Sequence, residues 1–216
     1  MACLGTEATG DAMLGYIHAR EARPAPRWWI VAKSLSQTII FWGIFLFILP
    51  MGIFTLEGWL GGDTWRFTTT VSAWWGGVLF VMGGLLGLAS CITMSLVGRG
   101  TPLPADCARD LVVAGPYRYL RNPMAVAGLS QGVAVGLVLG SPMVVAYALV
   151  GGPIWHFFVR PWEEIDLERR FGEPYRQYRA AVRCWLPRLR GYRRDGTIDI
   201  KSRGEVVLPV PEVVRR

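Results

Sequence analysis

Residues 71–97 read VSAWWGGVLFVMGGLLGLASCITMSLV, a long run without one charged side chain. About 20 mostly apolar residues cross the roughly 30 Å of membrane hydrocarbon at about 1.5 Å per helical residue. This stretch therefore predicts a transmembrane helix, with Trp74 and Trp75 in the interfacial aromatic belt. A second run, residues 35–56 (LSQTIIFWGIFLFILPMGIFTL), predicts another span. Its Pro50 is expected either to kink the helix or to mark its far end.

The composition also favours a membrane protein. The chain has 216 residues, of which 52% are hydrophobic and only 18% charged, and its mean hydropathy is +0.32. The net charge is +7, but the arginines are spread between apolar runs, so anionic lipid headgroups are the expected partner and nucleic acid is not. The four cysteines have no CxxC spacing and the two histidines are far apart, so no metal site is predicted.

Residues 123–159 form an uncharged stretch too long for one helix, and the sequence GSP at 140–142 interrupts it. This pattern predicts a tight helical hairpin. Its first half carries glycines at intervals of four, which we interpret as a stripe that lets a neighbouring helix approach closely. The predicted fold class is thus an all-α, polytopic membrane protein with about four transmembrane helices. The glycines of the stripe are Gly128, Gly132, Gly136 and Gly140.

The distribution of basic residues predicts the orientation. Arginines precede the first span and recur in the loop 98–123, whereas the loop after the first span has only Arg66 and the turn at 140–142 has none. By the positive-inside rule, both termini and the loop 98–123 are cytoplasmic. The predicted organisation is a cytoplasmic segment (1–34), a transmembrane domain with its cytoplasmic loop (35–160), a cytoplasmic amphipathic helical segment broken near Gly172 and Pro174 (161–194), and a loose tail (195–216).

Two clusters of charge flank the predicted hairpin. The first ends in RNP at 121–123, within GPYRYLRNPM, and the second is RPWEE at 160–164. Because a short hairpin joins the two helices, these clusters should face each other at the cytoplasmic interface. They predict a pocket with both signs of charge, aromatic walls, and access from water and lipid. A simpler interpretation is that the arginines bind headgroups and the glutamates neutralise them.

Residues 111–189 resemble the isoprenylcysteine carboxyl methyltransferase family, which has relatives among the phospholipid methyltransferases. The family pattern is LV before G-x-Y, then R-H-P-x-Y-x-G, a membrane hairpin, R-x-x-E-E-x-x-L-x-x-x-F-G-x-x-Y-x-x-Y and a closing proline. Here it reads LVVAGPYRYLRNPMAVAG, the hairpin, RPWEEIDLERRFGEPYRQY and Pro187. Both motifs occur in the right order with a hairpin of suitable length between them.

The resemblance implies a membrane-embedded methyltransferase that uses S-adenosylmethionine. Its cofactor would lie in a cytoplasmic pocket built by the loop before the third span and by the C-terminal segment, and a lipophilic substrate would enter from the bilayer. No metal is implied. The implied cofactor-binding residues are Leu111 and Val112 on the adenine side, Tyr117, Asn122 and Pro123, and also Arg121 and Glu164; the implied catalytic residues, facing the reacting group, are Arg160 and Glu163.

Two departures leave the acceptor open. Asn122 replaces the family histidine and Ala125 the following tyrosine. Asparagine keeps a donor and an acceptor but does not titrate. An isoprenylcysteine-like carboxylate, a thiol and a lipid amine all remain possible acceptors. The alternatives are a non-catalytic lipid- or partner-binding membrane protein and a membrane reductase with a nicotinamide cofactor. No GxGxxG lies between a predicted strand and helix, which argues against a Rossmann methyltransferase.

Overall fold

The computed structural model describes residues 26–67, 69–100 and 108–193. The first 25 residues of the predicted N-terminal segment, and the predicted tail, lie outside these ranges. The described residues are mainly helical and none of them lies in a strand, in agreement with the all-α prediction. The helices are α1 (Arg27–Trp59), α2 (Thr70–Val97), α3 (Pro123–Leu139), α4 (Pro142–Phe171) and α5 (Glu173–Ala181), with 3₁₀ turns at Gly62–Trp65 and Gly115–Arg118.

Helix α1 continues through its proline. A π-helical turn, Ile44–Ile48, lies directly before Pro50. Proline inside an α-helix removes one backbone hydrogen bond and clashes with the carbonyl group four residues earlier, which here is that of Leu46. The wider π turn accommodates the ring at this point. Pro50 therefore lies inside the helix, which ends at Trp59.

Helices α2 and α3 pack closely because glycines of α2 face α3. A Cβ atom added to Gly76 would lie only 2.9 Å from the carbonyl oxygen of Ala134, and one added to Gly83 only 2.7 Å from the Ser130 hydroxyl oxygen. Such short approaches between helices are typical of membrane proteins, in which small residues create the interface. The packing fixes α3, which leads directly out of the loop that carries the RNP motif.

The predicted hairpin is confirmed. Gly140 ends α3 with a φ of 62°, a left-handed conformation that glycine adopts without strain, and the Ser141 hydroxyl caps α4 by accepting from the Val144 amide. The glycine stripe packs as expected: a Cβ on Gly136 would lie 2.6 Å from a Val145 methyl carbon. The turn therefore returns the chain antiparallel along α3.

Helix α4 continues across residue 160, where we predicted the boundary between the transmembrane domain and the amphipathic helical segment. A π-helical turn, Trp155–Val159, leads without interruption into Arg160–Phe171. The break near Gly172 is confirmed: this glycine, with a φ of 57°, separates α4 from α5. One continuous helix thus carries both the apolar stretch and the RPWEE motif.

Three helices, α1, α2 and α4, are long and apolar enough to cross a membrane. Helix α3 is apolar but has only 17 residues, so the predicted count of about four spans is not confirmed. Large apolar side chains such as Ile39, Leu85 and Phe157 are exposed, whereas the buried Ser95 donates to the buried Ser34 at 2.8 Å. This arrangement, with small and polar contacts inside and apolar residues outside, suits a lipid environment.

A small core lies beyond the hairpin, at the ends of α2 and α3. Its buried residues, Tyr175, Tyr178 and Val182, come from α5 and the residue after it. Packed against them are residues of the loop before α3, the end of α4 and the C-terminal part of the described chain: Leu111, Val113, Leu167, Phe171 and Tyr192. This core holds the two motif-bearing regions together.

Candidate active site

A cavity of about 60 Å³ lies where the loop before α3 meets α4 and α5. Its walls combine apolar side chains from the loop and α4 with charged groups from both motifs. Seven of the nine predicted site residues line it: Leu111, Val112, Tyr117, Arg121, Asn122, Glu163 and Glu164. The sequence motifs that stand on either side of the hairpin are therefore brought to one place.

The other two predicted residues lie beside the cavity and do not line it. Pro123 is the first residue of α3 and is fully buried, where its fixed φ and missing N–H suit a helix start. Arg160 donates from Nε to the carbonyl oxygen of His156 at 3.3 Å. Its Nη1 lies 3.5 Å from Oε1 of Glu164. Arg160 thus reaches the cavity wall through Glu164.

Glu164 connects the two motifs. Its Oε1 lies 3.1 Å from Nη2 of Arg121, and both side chains are largely buried. No N–H of the described residues meets Glu164 Oε1 with hydrogen-bond geometry, and Nε of Arg121 is buried without a partner among them. The pair is therefore a close ionic contact that leaves polar atoms unsatisfied at the cavity. Burying polar groups without hydrogen bonds destabilises the folded protein unless a ligand or water supplies the missing bonds.

Main-chain contacts hold Arg121 in place. Its amide donates to the carbonyl oxygen of Arg183 at 3.0 Å, and its Nη1 donates to the carbonyl oxygen of Arg179 at 3.3 Å. Both acceptors come shortly after the FGEPYRQY part of the second motif: one lies in α5 and the other just beyond it. The C-terminal segment thus orients the arginine of the first motif.

Three buried tyrosines form one side of the site. Tyr178 donates from its hydroxyl to the carbonyl oxygen of Tyr117 at 2.7 Å, whereas the hydroxyl of Tyr175 is buried without a hydrogen-bond partner among the described residues. Burial raises the pKa of each of the three phenols, and the charge of Glu163 adds to the rise for Tyr117. All three therefore stay protonated at neutral pH, so each hydroxyl keeps a proton that it can donate.

Two polar side chains in the lining make no hydrogen bond or ion pair with the described residues. Glu163 is exposed and forms no ion pair there. Asn122 occupies the N-cap position of α3, but its side chain makes no capping hydrogen bond. A free carboxylate and a free amide are thus available to a ligand at this site.

The cavity is also lined by side chains that were not predicted as site residues, among them Leu167, Phe171 and Tyr175. The second motif contains these residues, but we interpreted their helical spacing only as the apolar face of the amphipathic segment 161–194. The signal that distinguishes Tyr175 is its hydroxyl group, because a buried tyrosine normally finds a hydrogen-bond partner.

Comparisons with known proteins find methyltransferases. The family model described as "Phospholipid methyltransferase" matches residues 71–174, a range that includes both RNP and RPWEE. Protein-S-isoprenylcysteine O-methyltransferase A of Arabidopsis thaliana is 30% identical over 125 residues, covering 53% of this chain and 60% of that protein. The human protein-S-isoprenylcysteine O-methyltransferase is 34% identical over 88 residues, covering 39% of this chain and 30% of the human protein.

A probable protein-S-isoprenylcysteine O-methyltransferase of Oryza sativa subsp. indica is 35% identical over 80 residues, covering 36% of this chain and 40% of the rice protein. The chain thus spans less than two thirds of the length of each of these relatives. Together, the family model and the relatives confirm the resemblance that the two motifs predict: the chain is similar to isoprenylcysteine carboxyl methyltransferases.

Proposed function

We propose that the protein is a membrane-embedded methyltransferase that uses S-adenosylmethionine and methylates a lipophilic acceptor. The observation that carries this proposal is the contact between the two motifs, in which Arg121 and Glu164 meet at 3.1 Å on the wall of one cavity. The relatives named as O-methyltransferases support the reaction class. The concentration of arginines in the loop before α3 supports a cytoplasmic position for the site.

The chemistry of the cavity fits this cofactor. The carboxylate of S-adenosylmethionine suits the buried, unpartnered Nε of Arg121, because arginine binds carboxylates strongly. The unpartnered hydroxyl of Tyr175 can donate to a ribose or carboxylate oxygen. Leu111 and Val112 offer an apolar surface to the adenine, and the ring of Tyr117 suits a cationic sulfonium. When bound, the cofactor supplies an electrophilic methyl group.

The enclosed volume sets a condition on binding. The cavity measures about 60 Å³, whereas small-molecule sites usually offer roughly 300–1,000 Å³. The wall must therefore move outward to admit a nucleoside. Helix α5 is the mobile part in our proposal, since a single glycine, Gly172, joins it to α4.

The acceptor would approach along α4. Phe157 and Phe158 are exposed just before Arg160, so they form an apolar route from the bilayer to the charged motif. The chain then has to hold the acceptor in line with the methyl group and exclude water, which accounts for most of the catalysis in such displacements. A carboxylate acceptor needs no general base. For a thiol or an amine, the free carboxylate of Glu163 is placed to accept the proton.

The test is equilibrium binding of S-adenosylmethionine, compared with a nicotinamide dinucleotide, to the detergent-purified protein. We expect binding of the first only. Glu163→Ala and Arg121→Ala should each weaken it by roughly 1–3 kcal/mol, the scale of a charge-assisted contact in a partly dry site. Arg169→Ala is the control, because Arg169 is exposed on α4 and does not line the cavity. Stronger binding of the dinucleotide would favour a reductase.

One observation favours a second function. Asn122 and Ala125 depart from the family pattern, so the scaffold could serve a non-catalytic protein that binds lipid or a partner. If the parent protein does not bind S-adenosylmethionine, while thermal unfolding shows that it is folded, the non-catalytic binding function becomes the preferred one.

A further inference from the structure

We propose that residues 183–193, here called the docking segment, bind the anionic surface of a membrane. The segment reads RCWLPRLRGYR and contains four arginines but no acidic residue. Within the part of the chain that the structure describes, none of the four guanidinium groups forms a salt bridge or hydrogen bond. Three of them are exposed and one is half-buried. The arginines are Arg183, Arg188, Arg190 and Arg193.

Two exposed leucines lie between these arginines. Leu186 is 59% exposed and Leu189 is fully exposed. Each would gain roughly 1.5–3 kcal/mol from burial in an apolar environment, so contact with acyl chains would stabilise the segment at a membrane. Alternating apolar and cationic side chains suit the boundary between acyl chains and headgroups, where leucine enters the acyl region and arginine meets phosphate.

The segment is fixed at the level where α4 changes from apolar to charged. Trp185 donates from Nε1 to Nδ1 of His156 at 2.8 Å. Its ring lies edge-on to the ring of Trp155, with the two ring centroids 5.3 Å apart. The two exposed phenylalanines at 157 and 158 follow, and the charged stretch begins at Arg160. An apolar helix that ends in charge crosses the membrane surface at that point. Leu186 and Leu189 therefore lie near this surface.

Main-chain hydrogen bonds hold the docking segment on the loop before α3. The Arg188 amide donates to the carbonyl oxygen of Tyr119, and the Tyr192 amide donates to that of Arg118, both at 2.9 Å. The side chain of Arg118 in turn donates to the Tyr192 carbonyl oxygen at 3.1 Å. The segment is thus shaped before it meets a lipid, which reduces the conformational entropy lost on binding.

Charge selects the occupant. A second copy of this chain would bring a second set of arginines against the first, whereas an anionic bilayer surface complements them. Juxtamembrane arginines each contribute about 1 kcal/mol at such a surface, or roughly fivefold in affinity. The proposal does not depend on the proposed methyltransferase activity.

The test counts lipids retained by the full chain. The purified protein is titrated in detergent with phosphatidylglycerol or phosphatidylcholine, and bound lipid is measured by native mass spectrometry. We expect specific binding of phosphatidylglycerol, weakened roughly tenfold or more in Arg190→Gln/Arg193→Gln. The matched control is Arg109→Gln/Arg169→Gln, which removes the same charge from two exposed positions, in the loop before α3 and on α4, that form no ion pair among the described residues; it should bind as the parent does.

A second variant, Leu186→Ser/Leu189→Ser, tests the apolar part and keeps the charge. It should lose phosphatidylglycerol binding without a change in oligomeric state. Equal retention of phosphatidylglycerol by the parent and both docking-segment variants would overturn the proposal. So would a dimer in neutral detergent that dissociates when the two leucines are replaced, because the leucines would then contact another copy.

Discussion

Oε1 of Glu164 lies 3.1 Å from Nη2 of Arg121 and 3.5 Å from Nη1 of Arg160. One carboxylate oxygen therefore joins the loop that precedes α3 to α4, the second helix of the hairpin. The two arginines are separated along the chain by the whole hairpin, yet a single acidic side chain contacts both. This contact makes the cavity a joint product of the two motifs.

Replacing one partner of this contact should destabilise the fold. Arg121→Gln leaves the largely buried Glu164 carboxylate with only its longer contact to Arg160, and Glu164→Gln leaves the Arg121 guanidinium without its carboxylate partner. Removing one partner of a buried ion pair typically costs about 3–5 kcal/mol, whereas the double variant should lose clearly less than the sum. Glu173 and Arg176 form the control pair, at 2.8 Å on an exposed surface, and removing that contact should change stability far less, because solvent screens exposed ion pairs. Denaturation in detergent measures all of these variants. Additive losses for Arg121 and Glu164 would show that the two side chains do not stabilise each other.

The glycine stripe predicts a position-dependent effect of alanine. Gly136→Ala should destabilise by about 1–3 kcal/mol, because the new Cβ would lie 2.7 Å from the backbone nitrogen of Val145, which cannot move independently. Gly77→Ala, on α2, is the matched control, since nothing lies within 4 Å of its Cβ position. The control should be neutral or slightly stabilising, because alanine favours helix. Thermal unfolding in detergent compares the two, and equal stability would contradict close packing of the hairpin.

The buried tyrosines predict a loss of stability in alkali. Burial raises the pKa of Tyr117, Tyr175 and Tyr178 in the folded state, whereas the phenol pKa in the unfolded chain is about 10. Their contribution is thus fully present below about pH 10, and it is lost as the pH rises above that value, since only the unfolded state readily ionises. Ultraviolet titration of tyrosinate should show phenols that ionise only on unfolding. Smooth titration of every tyrosine in the folded protein would be inconsistent with this site.

Periodicity and motif order predicted much of this molecule, because the hairpin turn and both charged motifs have strong local signals. Gly140 and Ser141 terminate and restart a helix by their own chemistry, and RNP and RPWEE must meet once the hairpin is formed. The passage of α4 from Val159 into Arg160 was not predictable in the same way. Composition changes sharply there, but helix propensity does not, and a π-helical turn carries the chain through.

The contacts of individual side chains also could not be predicted from the sequence. The motif suggests that Arg160 and Glu163 act as neighbours, yet Arg160 pairs with Glu164, four residues on, while Glu163 lines the cavity without an ion pair among the described residues. Which of two adjacent glutamates meets the arginines depends on the helical phase relative to the loop before α3. That phase is set by tertiary packing of α5 on the loop, through contacts such as Tyr178 with Tyr117.

The orientation in the membrane remains a prediction from the arginines, and the structure makes its test sharper. The Phe67 amide donates to the carbonyl oxygen of Gly140 at 3.0 Å, so the loop after α1 and the hairpin turn lie at the same end of the protein. Asp63→Cys, in a chain without its native cysteines, should be labelled only from the non-cytoplasmic side, because Asp63 is largely exposed there. Labelling from the cytoplasmic side would invert the predicted topology.

The departure at Asn122 predicts how the site responds to pH. Asn122 lines the cavity and makes no capping hydrogen bond, so its amide is free to hold a ligand but cannot titrate. Methyl transfer should therefore show no transition from this position near the usual histidine pKa of about 6.5. Asn122→His restores the family residue in a pocket that already accepts a planar polar group. We expect it to keep cofactor affinity within about tenfold and to introduce a pH dependence in that range.

The measurement is cofactor binding and turnover of both proteins from mildly acidic to mildly alkaline pH, with an acceptor identified by labelling membrane extracts with radioactive S-adenosylmethionine. Asn122→Gln is the control, because it keeps an amide without adding a titrating group. A transition in turnover that appears in Asn122→His but not in Asn122→Gln would place this side chain at the reacting groups. If the cofactor binds only after Asn122→His, the natural protein lacks the activity, and a role in binding lipid or a partner replaces the enzyme.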